Sequence, residues 1–501
     1  MVRREIQSTL DFPEETQVVS TIRERVDRYE AAFLLSAIGD ALGWPTEFLT
    51  VDKSHKNKTQ FDLPIKDYVS WTKRVGGHWW GYADEIEPGQ YSDDTQLSLA
   101  IARCIGDTGA FEPARFAYYE LPLWLNYQRG GGRSVKAAAR GLVGPKSDWL
   151  KNFYKGNELD YRTTGANGAA MRNLPIALAS AGSETQVITD SVLNTLITHG
   201  HPRALVGSVL FGLAVRYAVL AKEVERAAML EYLDSSLAGM WQDLTENPRI
   251  REWSGEWERR GNSPPGAFES LFGRTITETS DFLGQIQKYI DREPKEYYSI
   301  VGALDPRTKG SAISTVCAAL YVFFRHNEDS DEALVTSANL LGSDTDTISS
   351  FVGALFGSQQ GLSAIPPRFE KQIQDREYIV KVARRLHAIS SATLGNKASQ
   401  KSQLKRRDTY VSILAWEIGL HEMFWDAIQE GGVIVHPTLG RGRITRKIVE
   451  RINREGYDAK LMHVLFDSGQ SCVFHSRVKT NGDVLDSLAQ EVATTLRQTP
   501  N

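Results

Sequence analysis

The chain is poor in cysteine, in long apolar runs and in any excess of one charge, and each shortage excludes something. Three cysteines stand among 501 residues, Cys104, Cys317 and Cys472, odd in number, far apart and set in apolar surroundings. No disulfide framework or cysteine metal site follows, so a reducing cytoplasm is the expected compartment. Apolar runs such as Ala318–Phe324 fall short of the roughly 18 residues that a membrane span needs. The opening stretch Met1–Glu15 is polar and mixed in charge, without the apolar core of a secretory signal. No membrane partner is expected. A formal net charge of -4 argues against a general nucleic-acid coat, though it says nothing of local patches. Period-two alternation is nearly absent from the first ~390 residues, where every clear element has helical period.

What is present is a globular composition, 41% hydrophobic and 24% charged, in a chain long enough for one large domain and something smaller. Tyr91-Ser92-Asp93-Asp94-Thr95 opens a helix patterned through Leu97, Leu99, Ile101 and Ile105. Ser92 is a natural N-cap, which puts both aspartates in the first turn. Far downstream, Gly342-Ser343-Asp344-Thr345-Asp346-Thr347 leads into the small, apolar helix Ile348–Gly357. Aspartate at a helix start is commonly only a cap. Two such starts that converge, however, make an all-oxygen cage suited to a hard divalent cation, Mg²⁺ or Mn²⁺.

In chain order, residues 1–26 read as a polar N-terminal arm and 27–392 as a catalytic domain of helices. Residues 393–407 are a basic linker, 408–430 a connecting helix, and 431–501 a small β domain and tail. Within the first domain, 50–90 reads as a long irregular loop with His78, Trp79, Trp80 and Tyr82 among glycines. It either offers an aromatic face to a ligand or is pinned by its own tryptophans. Arg129-Gly130-Gly131-Gly132-Arg133 is a flexible turn carrying two cations. Gly165-Ala166-Asn167-Gly168-Ala169-Ala170-Met171-Arg172 brings backbone amides close to a docking anion, but its spacing is neither a Walker A nor a dinucleotide fingerprint. The stretch Trp241–Trp257 reads as core or lid. From Gly432 the character changes to short strands and tight turns, a β-barrel of roughly 50 residues.

Several motifs stand in one order: Gly39-Asp40-Ala41-Leu42-Gly43 with Glu47, Pro88-Gly89 with Ser92-Asp93-Asp94-Thr95, the Gly165–Arg172 segment, Thr198-His199, and Gly342 with Asp344-Thr345-Asp346-Thr347. That order, over about residues 27–390, resembles the ADP-ribosylglycohydrolase family, which includes the dinitrogenase-reductase-activating glycohydrolases. The resemblance implies an all-α, compact, orthogonal multi-helix fold with a binuclear Mg²⁺ or Mn²⁺ centre in a cleft. It implies cleavage of the bond between ribose C1″ and an acceptor on an ADP-ribosylated protein or nucleic acid. Ser92, Asp93 and Asp94 match its first metal motif, and Asp344, Asp346 and Thr347 its second, with Asp346 a candidate bridge. Glu47 falls where branches carry a catalytic or gating glutamate. Gly165, Asn167, Gly168 and Arg172 match the diphosphate- and ribose-lining segment, and His199 the histidine near substrate, contested by His201. The C-terminal residues from Val435 to Gly469 look like an SH3- or Tudor-like tail.

Up to six carboxylates (Asp40, Glu47, Asp93, Asp94, Asp344 and Asp346) then share one cleft, and they cannot all stay ionised without cations among them. Arg172 pairs with phosphate or pins an acidic ligand. Asp40 ligates, or only hydrogen-bonds behind the ligands. The basic run Lys397–Arg407 is a solvated linker or an electrostatic foot on nucleic acid, and the barrel is a docking module for protein or nucleic acid. The expected activity is an ADP-ribosylhydrolase. The alternatives are a non-hydrolysing ADP-ribose or nucleotide binder, or a hydrolase of a small ADP-ribose-related nucleotide.

Overall fold

The computed structural model describes residues 17–50, 60–144, 146–156, 158–392 and 406–479. The basic run Lys397–Lys405 and most of the expected polar arm therefore lie outside the described residues. The principal helices are α1 (Val18–Arg23), α2 (Val26–Gly43), α3 (Asp93–Arg103), α4 (Arg133–Leu142), α5 (Glu184–Leu196), α6 (Pro202–Leu220), α7 (Ala312–His326), α8 (Thr345–Gln360) and α9 (Arg376–Ala392). The domain is mostly helical, as expected. α1 departs from the polar-arm reading: Val18 and Ile22 are buried in the core, and the apolar pair at a four-residue spacing is the signal for it.

α2 and α8 form the centre, and small residues dictate how. A β-carbon on Gly39 would stand 2.1 Å from Ser349 O, and one on Gly353 would stand 2.1 Å from Leu35 O. The two backbones touch, a closeness only glycine permits. Ser36 and Ser350 hydroxyls bond across the same seam at 2.8 Å. α6 is long and apolar enough by composition to cross a bilayer, but it is almost wholly buried inside the protein, as a core helix is. Its arginines, Arg203 and Arg216, broke the run in the sequence. The tryptophan stretch is core: Trp253 and Trp257 pack edge-on against Phe268 at 5.0 and 5.1 Å.

Two departures from an all-helical domain matter. Residues 71–86 are not an irregular loop but an antiparallel hairpin, β1 (Trp71–Val75) with β2 (Tyr82–Ile86), registered Trp71 to Ile86 and Val75 to Tyr82. Its alternation was disguised because an inward position of β2 is Asp84, buried in an ion pair with Arg129. A two-residue ladder joins β3 (Lys155–Gly156) to β4 (Leu159–Asp160).

After helix Arg406–Gly419 and the short turn Glu422–Trp425, the C-terminal strands are β5 (Val433–His436), β6 (Gly440–Arg451), β7 (Tyr457–Phe466) and β8 (Ser471–Lys479). They form a four-stranded antiparallel meander in sequence order, with β5 and β8 at the edges. The expected barrel is thus a sheet; among the described residues no ladder joins its edges. The sheet does not hang free. One face stacks Phe474 on Trp416, rings parallel at 3.9 Å, and meets Tyr127 at 5.5 Å. The other buries Ala459, Leu461 and Val473 with Tyr82 of the hairpin.

Candidate active site

The convergence of α3 and α8 starts is observed. Ser92 caps α3, its Oγ accepting from Asp94 N, so its hydroxyl already has a role at the helix start. Asp93 and Asp94 are left free of capping. Asp93 Oδ1 instead accepts Gly131 N at 2.6 Å, and Asp94 Oδ2 is buried with no partner among the described residues. Asp344 occupies the N-cap position of α8 but makes no capping bond; its carboxylate accepts from Asn167 Nδ2 at 2.9 Å. The plain capping reading therefore fails for three of these aspartates.

Glu47 follows α2 through a single 3₁₀ turn, Trp44–Thr46, which Pro45 starts and which Thr46 ties to Thr345 Oγ1 at 3.0 Å. Each of Glu47, Asp344 and Asp346 places one carboxylate oxygen within 4.8 Å of the others. Asp40 stands behind. It accepts from Ser92 N, Thr95 N and Thr95 Oγ1 at 3.0, 3.0 and 2.6 Å, and so orients the α3 turn. Thr347 is buried beside this group.

The electrostatics follow from burial. Desolvation pushes Asp94 and Asp346 well above the ordinary carboxylate range, with neighbouring carboxylates adding to it. Desolvation likewise pushes Asp93 up to about 6 against the Gly131 bond and Lys73. Glu47 is pushed up to about 8, first by desolvation, opposed by Lys73 and reinforced by Asp344 and Asp93. Such a group is uncomfortable alone and would be relieved by cations. An all-oxygen donor set with an orphaned buried oxygen fits one or two hard divalent ions such as Mg²⁺ or Mn²⁺.

The cleft above the carboxylates holds about 570 Å³ and is lined by Glu47, Asp93, Asn167, Asp346, Lys73 and Arg133 among others. A second cavity of about 770 Å³ is lined by Thr164, Gly165, Ser311 and again Arg133, which borders both. Between them runs the 164–168 segment, fastened by Asn167 N to Gly310 O at 2.9 Å and Ala312 N to Gly165 O at 3.1 Å. Gly168 is tight for space: a β-carbon there would come within 3.0 Å of His199 Cε1.

Two sequence assignments need correction or resolution. Arg172 does not face the cleft. It is fully buried, bonded to Asn194 Oδ1, Asn194 O, Gly168 O and Thr198 Oγ1 at 2.7–2.9 Å, and so neither grips phosphate nor pins a carboxylate. Only the position of this chain of bonds among Asn and Thr side chains, unreadable in sequence, shows it to be a brace. Between the histidines, His201 caps α6 through Nδ1 and Arg203 N. His199 has Nδ1 2.7 Å from Thr198 Oγ1, while its Nε2 is buried without a partner beside Gly168. Desolvation, with Arg172 adding, lowers His199 to about 3, so the ring is neutral.

Sequence reasoning missed Lys73, Lys136 and Arg477 of β8, which line the same cleft and are brought to it only by the fold.

Comparison with known proteins places this geometry. The family model described as ADP-ribosylglycohydrolase matches residues 21–394. ADP-ribosylarginine hydrolase Tri1 of Pseudomonas putida is 24% identical over 374 residues, 73% of this chain and 79% of the relative. Human ADP-ribosylhydrolase ARH3 is 24% identical over 320 residues, 61% and 81% of the two chains. The ADP-ribosyl-[dinitrogen reductase] glycohydrolase of Rhodospirillum rubrum is 30% identical over 196 residues, 38% of this chain and 58% of the relative. By a family model that spans most of its length, including both acidic helix starts of the cleft, the chain belongs to the ADP-ribosylglycohydrolase family.

Proposed function

We propose that the chain is a divalent-metal-dependent ADP-ribosylhydrolase acting on an ADP-ribosylated macromolecule. The observation that carries this is the site's carboxylate set, uncapped, buried and in no ion pair among the described residues, in a family whose relatives are named for this hydrolysis. Asp93, Asp94, Asp344, Asp346 and Thr347 would hold the metal, with Ser92 at the edge of the set. When bound, Mg²⁺ or Mn²⁺ supplies Lewis-acid polarisation and lowers the pKa of water.

The chain's own groups do the rest. Gly165, Asn167 and Gly168 present a pinned backbone to the ADP-ribose, with Arg133 facing its diphosphate from between the two cavities. His199, held neutral with Nδ1 taken by Thr198, offers Nε2–H as a donor to the ribose. Glu47 is placed to take a proton from the attacking water. Water oxygen bonds to C1″ as the bond from C1″ to the acceptor nitrogen or oxygen breaks, and the proton ends on the leaving acceptor. Carboxylates around C1″ favour the oxocarbenium-like charge that develops.

The test is release of free ADP-ribose from arginine-, serine- and DNA-linked substrates, with Mg²⁺ and with chelator. Metal-dependent release that Asp346→Ala abolishes supports the proposal. ADP-ribose binding without release from any of them would leave a binder, or a hydrolase of small nucleotides.

A further inference from the structure

The C-terminal sheet reaches into the cleft, and what it brings is a cation. Arg477 of β8 lines the cleft beside Lys73 and Arg74 of β1 and Lys136 and Arg140 of α4. Its seat is built by the hairpin. Nε donates to Trp80 O at 2.9 Å, and the guanidinium carbon lies 5.5 Å from the centroid of the Tyr82 ring. Nη2 fills the space that a side chain at Gly76 would need, 2.4 Å from a β-carbon there. The strand holding Arg477 is locked to the cleft wall by His475, whose N and Nε2 are each 2.9 Å from backbone carbonyls of Asn126 and Gln128.

None of these five cations makes an ion pair among the described residues. Lys73 Nζ is buried without any hydrogen-bond partner, lying over the Trp44 ring at 4.5 Å. Lys136 reaches only a carbonyl, Gly130 O, at 3.2 Å. Burial lowers its pKa; Asp93 opposes that, while Lys73, Arg140 and Arg477 add to it. Lys73 and Lys136 face Asp93 across the cleft and are partly balanced by it. Arg74 and Arg140, both exposed, and the half-buried Arg477 form no ion pair among the described residues, so their charge is open to an incoming anion. On the hydrolase reading Arg133, which lines both cavities, serves the diphosphate, and the three arginines are surplus to it. A cationic acceptor such as an arginine side chain would be repelled by them.

Beside the cations the hairpin turn exposes an aromatic ring. Trp79 is 66% exposed, edge-on to His78, and lies three residues past Gly76 of the cleft lining. Arg454 of the β6–β7 turn covers the neighbouring Trp80 at 4.2 Å. Unpaired cations interleaved with an exposed indole make a surface suited to single-stranded nucleic acid, where phosphates meet the charge and a base stacks.

Resting on the hydrolase reading above, we propose that this rim receives a single-stranded nucleic-acid acceptor, with Arg477 of the C-terminal sheet binding a phosphate beside the modified nucleotide. The sheet is then a working wall of the cleft that selects the acceptor.

The test is fluorescence anisotropy of a labelled, unmodified single-stranded DNA 12-mer with the full chain. It compares wild type, Arg477→Gln, Arg477→Lys and Arg140→Gln, each also checked for ADP-ribose binding by calorimetry as evidence of an intact fold. Wild type should bind with a salt-dependent affinity. Arg477→Gln should weaken it about tenfold and reduce the slope of log K against log salt by about 0.7, the value for one single-strand phosphate contact. Arg477→Lys should recover part of the loss. Arg140→Gln alters an exposed side chain, where substitution changes stability little, and it should weaken binding several-fold. Binding unchanged in both glutamine variants overturns the proposal. So does displacement of the DNA by polyglutamate as readily as by unlabelled DNA, which would make the partner an acidic polypeptide. Because binding needs no turnover, DNA held through Arg477 without any hydrolysis would sink only the hydrolase reading. ADP-ribose release insensitive to Arg477, with no DNA binding, would sink only this one.

Discussion

Gly43 and Thr345 meet backbone to backbone: a β-carbon on Gly43 would lie 2.3 Å from Thr345 O and 2.7 Å from Asp346 Cα. Thr345 Oγ1 donates to Gly43 O at 2.9 Å across the same contact. The seam between α2 and α8 therefore fixes how far Glu47, four residues past Gly43, stands from Asp344 and Asp346. Gly43→Ala must push α8 away, because the obstacle is main chain and cannot rotate aside. Overpacking of this kind costs about 1–3 kcal/mol. We expect lower urea stability together with at least a tenfold loss of Mg²⁺ or Mn²⁺ affinity by calorimetry. Loss of stability with metal affinity intact would disconnect the seam from the site.

A pH dependence follows from the buried carboxylates. Asp93 rises from an ordinary aspartate value to about 6 in the folded protein, chiefly by desolvation. Between those two values the folded state binds more protons than the unfolded, so this group's stabilising contribution is full at low pH and is lost as pH rises through about 6. A divalent ion reverses the balance by favouring the charged forms. The rise in Tm on adding Mg²⁺ should thus be larger at pH 8 than at pH 5, and a hundredfold excess of the ion over its Kd corresponds to ~2.7 kcal/mol of stabilisation. An equal rise at both pH values would mean the carboxylates do not hold the ion.

Thr198 sets the state of His199. Its Oγ1 accepts from Arg172 Nη2 at 2.9 Å, so its own hydrogen is available to His199 Nδ1, leaving the ring's proton on Nε2. Thr198→Val removes both bonds at little change in volume. ADP-ribose affinity should fall about tenfold, ~1.4 kcal/mol, and Thr198→Ser should restore it. With the ring neutral down to about 3, neither protein should show a histidine limb in ADP-ribose binding between pH 5 and 8. A limb near pH 6.5 in the wild type would refute the buried, neutral assignment.

How much of this the sequence disclosed depended on distance along the chain. The two acidic helix starts were legible because local motifs, capping residue and apolar period carry them. The helical class was legible for the same reason. The hairpin was not, since Asp84 occupies an inward position whose compensation, Arg129, comes 45 residues later. Arg172 looked like an anion ligand because a motif gives a position but no direction; its bonds to Asn194 and Thr198 turn it inward. Arg477 could not be read at all. Its role depends on β8 docking against a hairpin that the sequence presented as a loop.

The Asp84–Arg129 pair offers a test of that docking. Arg129 Nε and Nη2 meet the two Asp84 oxygens at 3.2 and 2.9 Å, Nη1 meets Gln90 Oε1 at 2.6 Å, and both partners are nearly excluded from solvent. The pair ties β2 to the turn in which Gly131 N holds Asp93. Asp84→Ala would leave a buried guanidinium without its counter-charge, a loss of about 3–5 kcal/mol when one partner is removed from a buried pair. Removing both charges, in Asp84→Leu with Arg129→Met, should cost much less, because the second change eliminates the stranded charge. If the pair were only structural, the double variant would recover both stability and metal affinity. Since the turn also positions Asp93, we expect stability to return while metal affinity stays several-fold below wild type. Full recovery of both, by urea titration and calorimetry, would show that the Gly131–Asp93 bond needs no help from the hairpin.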